Sequence, residues 1–300
     1  MRINKLSLFF LFLFLLENLT LFSQIKDSNT VNRKRLLLVG GGSVAVYSVS
    51  LTGLNQLWYA GYDRSPFHFF NDNREWLQFD KVGHFTTAYY ESLLGIHALK
   101  WTGLSDRKSI IFGSLYGIIF QTPIEILDGF SAKWGASAGD LTANTLGSAL
   151  VFSQYMLWNE QKILVKYSFH PTPYADLRPS ELGENLIQQL LKDYNGATIW
   201  LSASLNDFYH GKKILPDWLA LSIGYGAEEM VSGRPEDAPP SLSYLSRYRQ
   251  FYLALDVNTW KIKTDKKFLK LLLGCVSVIK FPAPALEFNR HGVRFHPLYF

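Results

Sequence analysis

The stretch that decides the fold runs from Asp80 to Gly147. It reads D-K-V-G-H-F at Asp80–Phe85, then Q-T-P-I-E-I-L-D-G-F at Gln121–Phe130, then G-A-S-A-G-D-L-T-A-N-T-L-G at Gly135–Gly147. On a helix that begins near Asp80, residues 80, 84 and 91 share a face, so Asp80, His84 and Glu91 form a polar stripe beside Lys81 in apolar surroundings. Glu125 and Asp128 share a face by the same rule, as do Asp140 and Asn144. Charged groups cost several kcal/mol to desolvate unless paired, so three such stripes on three apolar helices are expected to face one another. Ser137, three residues before Asp140, has the spacing of a helix N-cap.

Outward from this stretch the chain reads as apolar helices. They are expected at about Lys81–Trp101, at Asp106–Asp128 with Pro123 kinking or ending it, and at Ser137–Trp158. Ala138, Gly139, Ala143, Gly147 and Ala149 give the last of these a small-residue face that allows close approach. Before them Leu36–Tyr62 carries no charged side chain and is long enough to span a bilayer. Gly40-Gly41-Gly42 and Asn55-Gln56 make it wetter than a lipid-facing helix, so burial against other helices is the competing reading. Residues 1–24, with Arg2 and Lys5 ahead of the apolar run Leu6–Leu16, read as a secretory signal peptide. No cysteine stands near its end, so the sequence predicts no lipid anchor of the lipoprotein type. Lys and Arg in the loops favour a side that conflicts with export of the mature chain, which argues for a bundle lying on, or partly within, a membrane and facing the periplasm.

Near Lys162 the hydrophobic period changes from helical to alternating. Ala197–Leu205, Trp218–Gly226, Gln250–Asn258 and Val293–Phe300 read as half-buried antiparallel strands. Short helices are expected at Pro179–Lys192, capped by Ser180, and at Asp265–Cys275. The fold class is therefore α+β: a bundle of about four apolar helices over residues 36–160, then a smaller antiparallel sheet over 162–300. The chain ends on Phe300 after an alternating strand, but a closed outer-membrane barrel needs about eight strands and five to seven candidates are present, so a partial sheet is expected.

Composition narrows the function. Hydrophobic residues make up 48% of 300, with a net charge of +5. The basic residues are dispersed, with Arg33-Lys34-Arg35 and Lys261–Lys267 the only clusters, which suits lipid headgroups and excludes a nucleic-acid surface. The one cysteine, Cys275, excludes an intramolecular disulfide, and no disulfide-linked partner is expected. No zinc-protease, nucleophile-elbow, phosphate-loop or dinucleotide motif occurs.

The blocks Asp80-Lys81-x-Gly83-His84-Phe85, Glu125-x-x-Asp128 and Gly135-x-Ser137-x-x-Asp140-Leu141-x-x-Asn144-x-x-Gly147 resemble those of the YfiM-type family of bacterial envelope proteins, several of them lipoproteins. The chain is similar to its long Bacteroidetes form and, distantly, to VanZ-like membrane proteins. The resemblance covers about 70 to 80 residues and implies an envelope location and a helical core carrying these polar groups; it supplies no activity. Two functions are open. One is a structural or interaction protein that meets membrane lipid or other envelope proteins, needs no cofactor, and uses the cluster to fix helix packing. The other is a membrane-surface hydrolase or transferase acting on a lipid-linked or cell-wall substrate, with His84 as base oriented by Asp80 and Glu125 or Asp128 as acid. In that case His84 with Asp128 and Asp140 could hold Mg, Mn or Ca, which suit oxygen-rich sets.

Overall fold

A computed structural model describes residues 30–55, 61–208 and 215–300. The signal peptide and its cleavage region lie outside the described residues. The chain divides into two compact units, one of residues up to 72 together with 81–160, the other of residues 73–80 and 161–300. The class is α+β, with the helices preceding a six-stranded sheet.

In the first unit, α1 (Arg33–Leu54) starts at Asn32, whose Oδ1 accepts the Arg35 N–H. It is followed by α2 (Phe79–Trp101), α3 (Asp106–Gly113), α4 (Tyr116–Gly129) and α5 (Ala138–Trp158). The boundary between the units falls inside the first turn of α2. Helix α2 is the hub of the bundle because three glycines let its neighbours reach its backbone. A Cβ would lie 2.3 Å from Ile96 N at Gly113, 2.3 Å from Ala88 O at Gly117 and 2.2 Å from Phe85 O at Gly147. These contacts come from α3, α4 and α5 in turn.

The helix expected to kink or end at Pro123 breaks earlier. Residues 114 and 115 separate α3 from α4, and Pro123 lies within α4, which continues to Gly129. The break is tolerated because buried Ser92 on α2 serves the backbone there: its hydroxyl donates to Ser114 O at 2.8 Å and accepts the Gly117 N–H at 3.3 Å. The third expected helix is thus two.

The second unit carries β1 (Ile163–Phe169), β2 (Ala197–Ser204), β3 (Leu219–Glu228), β4 (Tyr248–Val257), β5 (Ala283–Asn289) and β6 (Gly292–Tyr299), each antiparallel to the next. β2, β3, β4 and β6 match the alternating segments read from sequence; β1 and β5 were not legible as strands. The helix expected over 179–192 is interrupted at Gly183, whose φ of +110° suits glycine, leaving a short turn at Pro179–Leu182 and α6 (Leu186–Lys192). Ser180 sits inside that turn and caps nothing; Asn185 caps α6 instead. Helix α7 (Lys267–Cys275) lies between β4 and β5. The sheet's small apolar core is Trp200, Tyr252, Ala254 and Ala285 with Tyr299 against it.

Overpacking a close helix contact typically costs about 1–3 kcal/mol. Gly117→Ala and Gly147→Ala are each expected to destabilise the bundle by about that amount in urea denaturation followed by circular dichroism, whereas Gly83→Ala, with open space at its Cβ, should be neutral or slightly stabilising.

Candidate functional site

The first unit gathers charged and amide groups from four places on the chain. The loop ahead of α2 is pinned by Phe70 N–H donating to Ala136 O and Ala136 N–H donating to His68 O, both 3.0 Å, which brings Asp72 beside the start of α5. Ser137 caps that helix: its Oγ accepts the Asp140 N–H at 3.1 Å and donates to Asp72 Oδ1 at 2.6 Å. Its own N–H donates to Glu125 Oε2 on α4 at 3.0 Å. From α2, Lys81 places its ammonium 2.6 Å from Asp72 Oδ2 and 2.6 Å from Asp140 Oδ1. One amine, one hydroxyl and one backbone N–H therefore join the loop, α2, α4 and α5.

His84 stands one turn beyond Asp80 on α2. Its Nδ1 is hydrogen-bonded to Asn144 Oδ1 at 3.2 Å and lies 3.9 Å from Glu125 Oε1, while Nε2 is 3.9 Å from Asp140 Oδ1. Asp80, held by its place in the same helix, His84 and Asp140 each offer a metal-ligand atom within 4.8 Å of the others. The Lys81 ammonium occupies one side of Asp140 Oδ1 and offsets one of the two carboxylate charges it bridges.

Electrostatics separate the carboxylates. Burial raises Asp72, but bonds from Lys81 and Ser137 outweigh it and hold this carboxyl below its usual range. Burial pushes Glu125 up to about 7; Asp140 and Asp128 add to the rise, and His84 and the Ser137 N–H oppose it. Glu125 Oε1 and Asn144 Nδ2 are buried and have no hydrogen-bond partner among the described residues.

Two of the residues singled out from sequence stand apart. Asp128 is one turn further along α4, acting on Glu125 through space. Glu91 is two turns along α2 from His84 and accepts a 2.8 Å bond from Gln121 Nε2; burial raises it to about 8 against the effect of that bond. Sequence reasoning missed Asp72. It lies in a loop, N-D-N, where no helical period marks a partner for Lys81.

Residues 68–156 match the profile of a family described as "Predicted periplasmic lipoprotein (DUF2279)". The match takes in Asp72, Lys81, His84, Glu125, Ser137, Asp140 and Asn144, and supports a periplasmic lipoprotein family and a cell-envelope location. It carries neither the YfiM name nor a VanZ link. No curated protein and no solved structure matches the chain.

A carboxyl whose folded pKa is raised favours its protonated form on folding. Its stabilising effect is complete below the unfolded value of about 4.5 and is lost as pH rises toward 8. Stability in urea is expected to fall between pH 5 and pH 8, by an amount on the order of 4 kcal/mol at most for Glu91. Glu91→Gln, which mimics the neutral carboxyl, should shrink that fall.

Proposed function

We propose that the protein is a membrane-associated component of the cell envelope, facing the periplasm, in which the polar cluster fixes the packing of apolar helices. The observation that carries this reading is the Lys81 ammonium bonded to carboxylates from two other segments, with all three side chains largely enclosed. Such a bridge specifies helix register and keeps its own three charges largely out of water. Association with lipid is supported by α1, where Leu37, Leu38, Val44 and Val49 face outward. Arg33–Gly53 and Asp106–Gly129 are each long and apolar enough to cross a membrane. The second of these, broken into α3 and α4, also carries Gln121 and Glu125 inward, which fits a segment lying against lipid on one side only. The partners on this reading are membrane lipid and neighbouring envelope proteins.

A second reading, a hydrolase or transferase acting at the membrane surface, has one observation in its favour. His84 sits between Glu125 and Asp140 beside two buried polar atoms that lack partners, and a carboxyl titrating near 7 is suited to give and take protons.

Removing one partner of an enclosed ion pair typically costs about 3–5 kcal/mol. Lys81→Met is expected to lose about that much stability and to lower cellular abundance. His84→Gln separates the readings: on the structural one any phenotype follows loss of abundance, whereas a folded, abundant His84→Gln protein without cellular function would favour catalysis. The mature chain is expected to stay with membranes through a carbonate wash; its full recovery in soluble periplasm would overturn the membrane assignment.

A further inference from the structure

Strands β3, β4 and β6 alternate as the sequence predicts, and β5 between them alternates too. Their registers place Phe251, Phe288 and Val293 side by side. The next outward row is Ile223, Leu253, Leu286 and Phe295, and the one after it pairs Leu221 with Leu255. All of these apolar side chains are exposed. The rows between and beyond them point inward and are buried: Ser222, Gln250, Asp256 and Glu287 lie there beside the small apolar core of Tyr252, Ala254 and Ala285.

The inward groups satisfy one another. Lys166 on β1 lies 2.9 Å from Asp256 on β4, Ser202 on β2 donates to the same carboxylate at 2.6 Å, and Glu287 takes Gln250 at 2.9 Å and His296 at 2.7 Å. Contacts between strands that are not neighbours mean the sheet curls around its polar face, so the apolar face is convex. A half-exposed sheet in water has the reverse arrangement, with apolar residues in and polar residues out. A polar interior beneath an apolar exterior is the arrangement of sheets whose outside meets hydrocarbon.

The rim at the Val257 end adds charge to this surface. Thr259, just beyond β4, donates to Leu273 O at 2.7 Å and seats α7 there. Helix α7 has no buried residue, turns Phe268 outward at 77% exposure and carries Lys267 and Lys270, with Lys266 before it. Trp218 and Trp260 are exposed at the same end, where the Asn258 N–H bonds Trp218 O. A basic amphipathic helix flanked by tryptophans is the composition of a headgroup-level element for anionic lipid.

Height decides how deep it goes. From Leu255 to Phe251 the apolar band is about 13 Å tall, against a hydrocarbon core of about 30 Å. Among the described residues β1 and β6 are not paired to each other, and an open edge in hydrocarbon leaves backbone groups unsatisfied, so the apolar side chains of the convex face, and not the backbone edge of β6, are what meet the acyl chains. The band matches one leaflet.

We propose that the convex face of β3–β6 seats in one leaflet of an anionic bilayer, with α7 at headgroup level. The proposal rests on the membrane-associated reading above and names the element that makes the contact. The test uses the full chain carrying Cys275→Ser and one new cysteine at a time, Leu253→Cys, Phe295→Cys or, in the surface loop, Glu236→Cys. Each is labelled with a fluorophore and bound to phosphatidylethanolamine–phosphatidylglycerol vesicles containing acyl-chain nitroxide lipids. Labels at 253 and 295 are expected to be quenched several-fold more than the label at 236. Vesicle binding should weaken several-fold when Lys266, Lys267 and Lys270 are changed to Glu. Vesicle-bound protein with equal quenching at all three positions would overturn the proposal and leave membrane association standing. Disulfide crosslinking between two Leu253→Cys chains, without quenching, would overturn it in favour of a second copy on this face. Failure to bind vesicles at all would overturn both.

Discussion

The Lys81 ammonium, within bonding distance of Asp72 and Asp140, is the interaction on which the helical unit depends. Three charges are withdrawn from most of their water, and desolvation of each is offset only while the other two stay in place. Because Asp72 comes from a loop, Lys81 from α2 and Asp140 from the first turn of α5, the bridge sets where these segments meet. Ser137 extends the constraint to α4 through its N–H on Glu125. The three glycines against the α2 backbone are the apolar counterpart: they permit an approach that the polar bridge then registers.

The same bridge shapes what chemistry the site can support. A cation, the Lys81 ammonium, is already present between the Asp72 and Asp140 carboxylates, and it shares Asp140 with the group of Asp80, His84 and Asp140. Among the described residues, Glu125 Oε1 and Asn144 Nδ2 beside His84 are buried without a hydrogen-bond partner. The family profile spans all of these residues but stops before the sheet.

Both units also place apolar side chains outward, on α1 in one and on β3–β6 in the other. In the sheet this is coupled to buried charges with internal partners: Lys166 and Lys280 with Asp256, and Glu287 with Gln250 and His296. A protein whose charges are internally paired loses little by leaving water, and an apolar exterior gains by doing so. The envelope location supported by the family profile is consistent with that balance.

The helices, the Ser137 cap and four of the six strands were legible in the sequence because each depends on local spacing: periods of 3.6 and 2, and a hydroxyl three residues before an N–H that needs an acceptor. The facing pairs within α2 and α5, Asp80 with His84 and Asp140 with Asn144, follow from the same periodicity. Other features were decided only by tertiary contacts. Asp72 meets Lys81 through a loop whose path no period encodes, and Glu91 bonds Gln121 rather than the groups around His84 because its neighbour on α4 lies at a different height. The helix breaks at residues 114 and 115 rather than Pro123 because Ser92, on another helix, supplies the missing hydrogen bonds. Alternation in β3–β6 identifies two faces, but a strand alone does not say which one is inside. That choice came from the curl of the sheet, which let the polar face close on itself and left the apolar face for another medium.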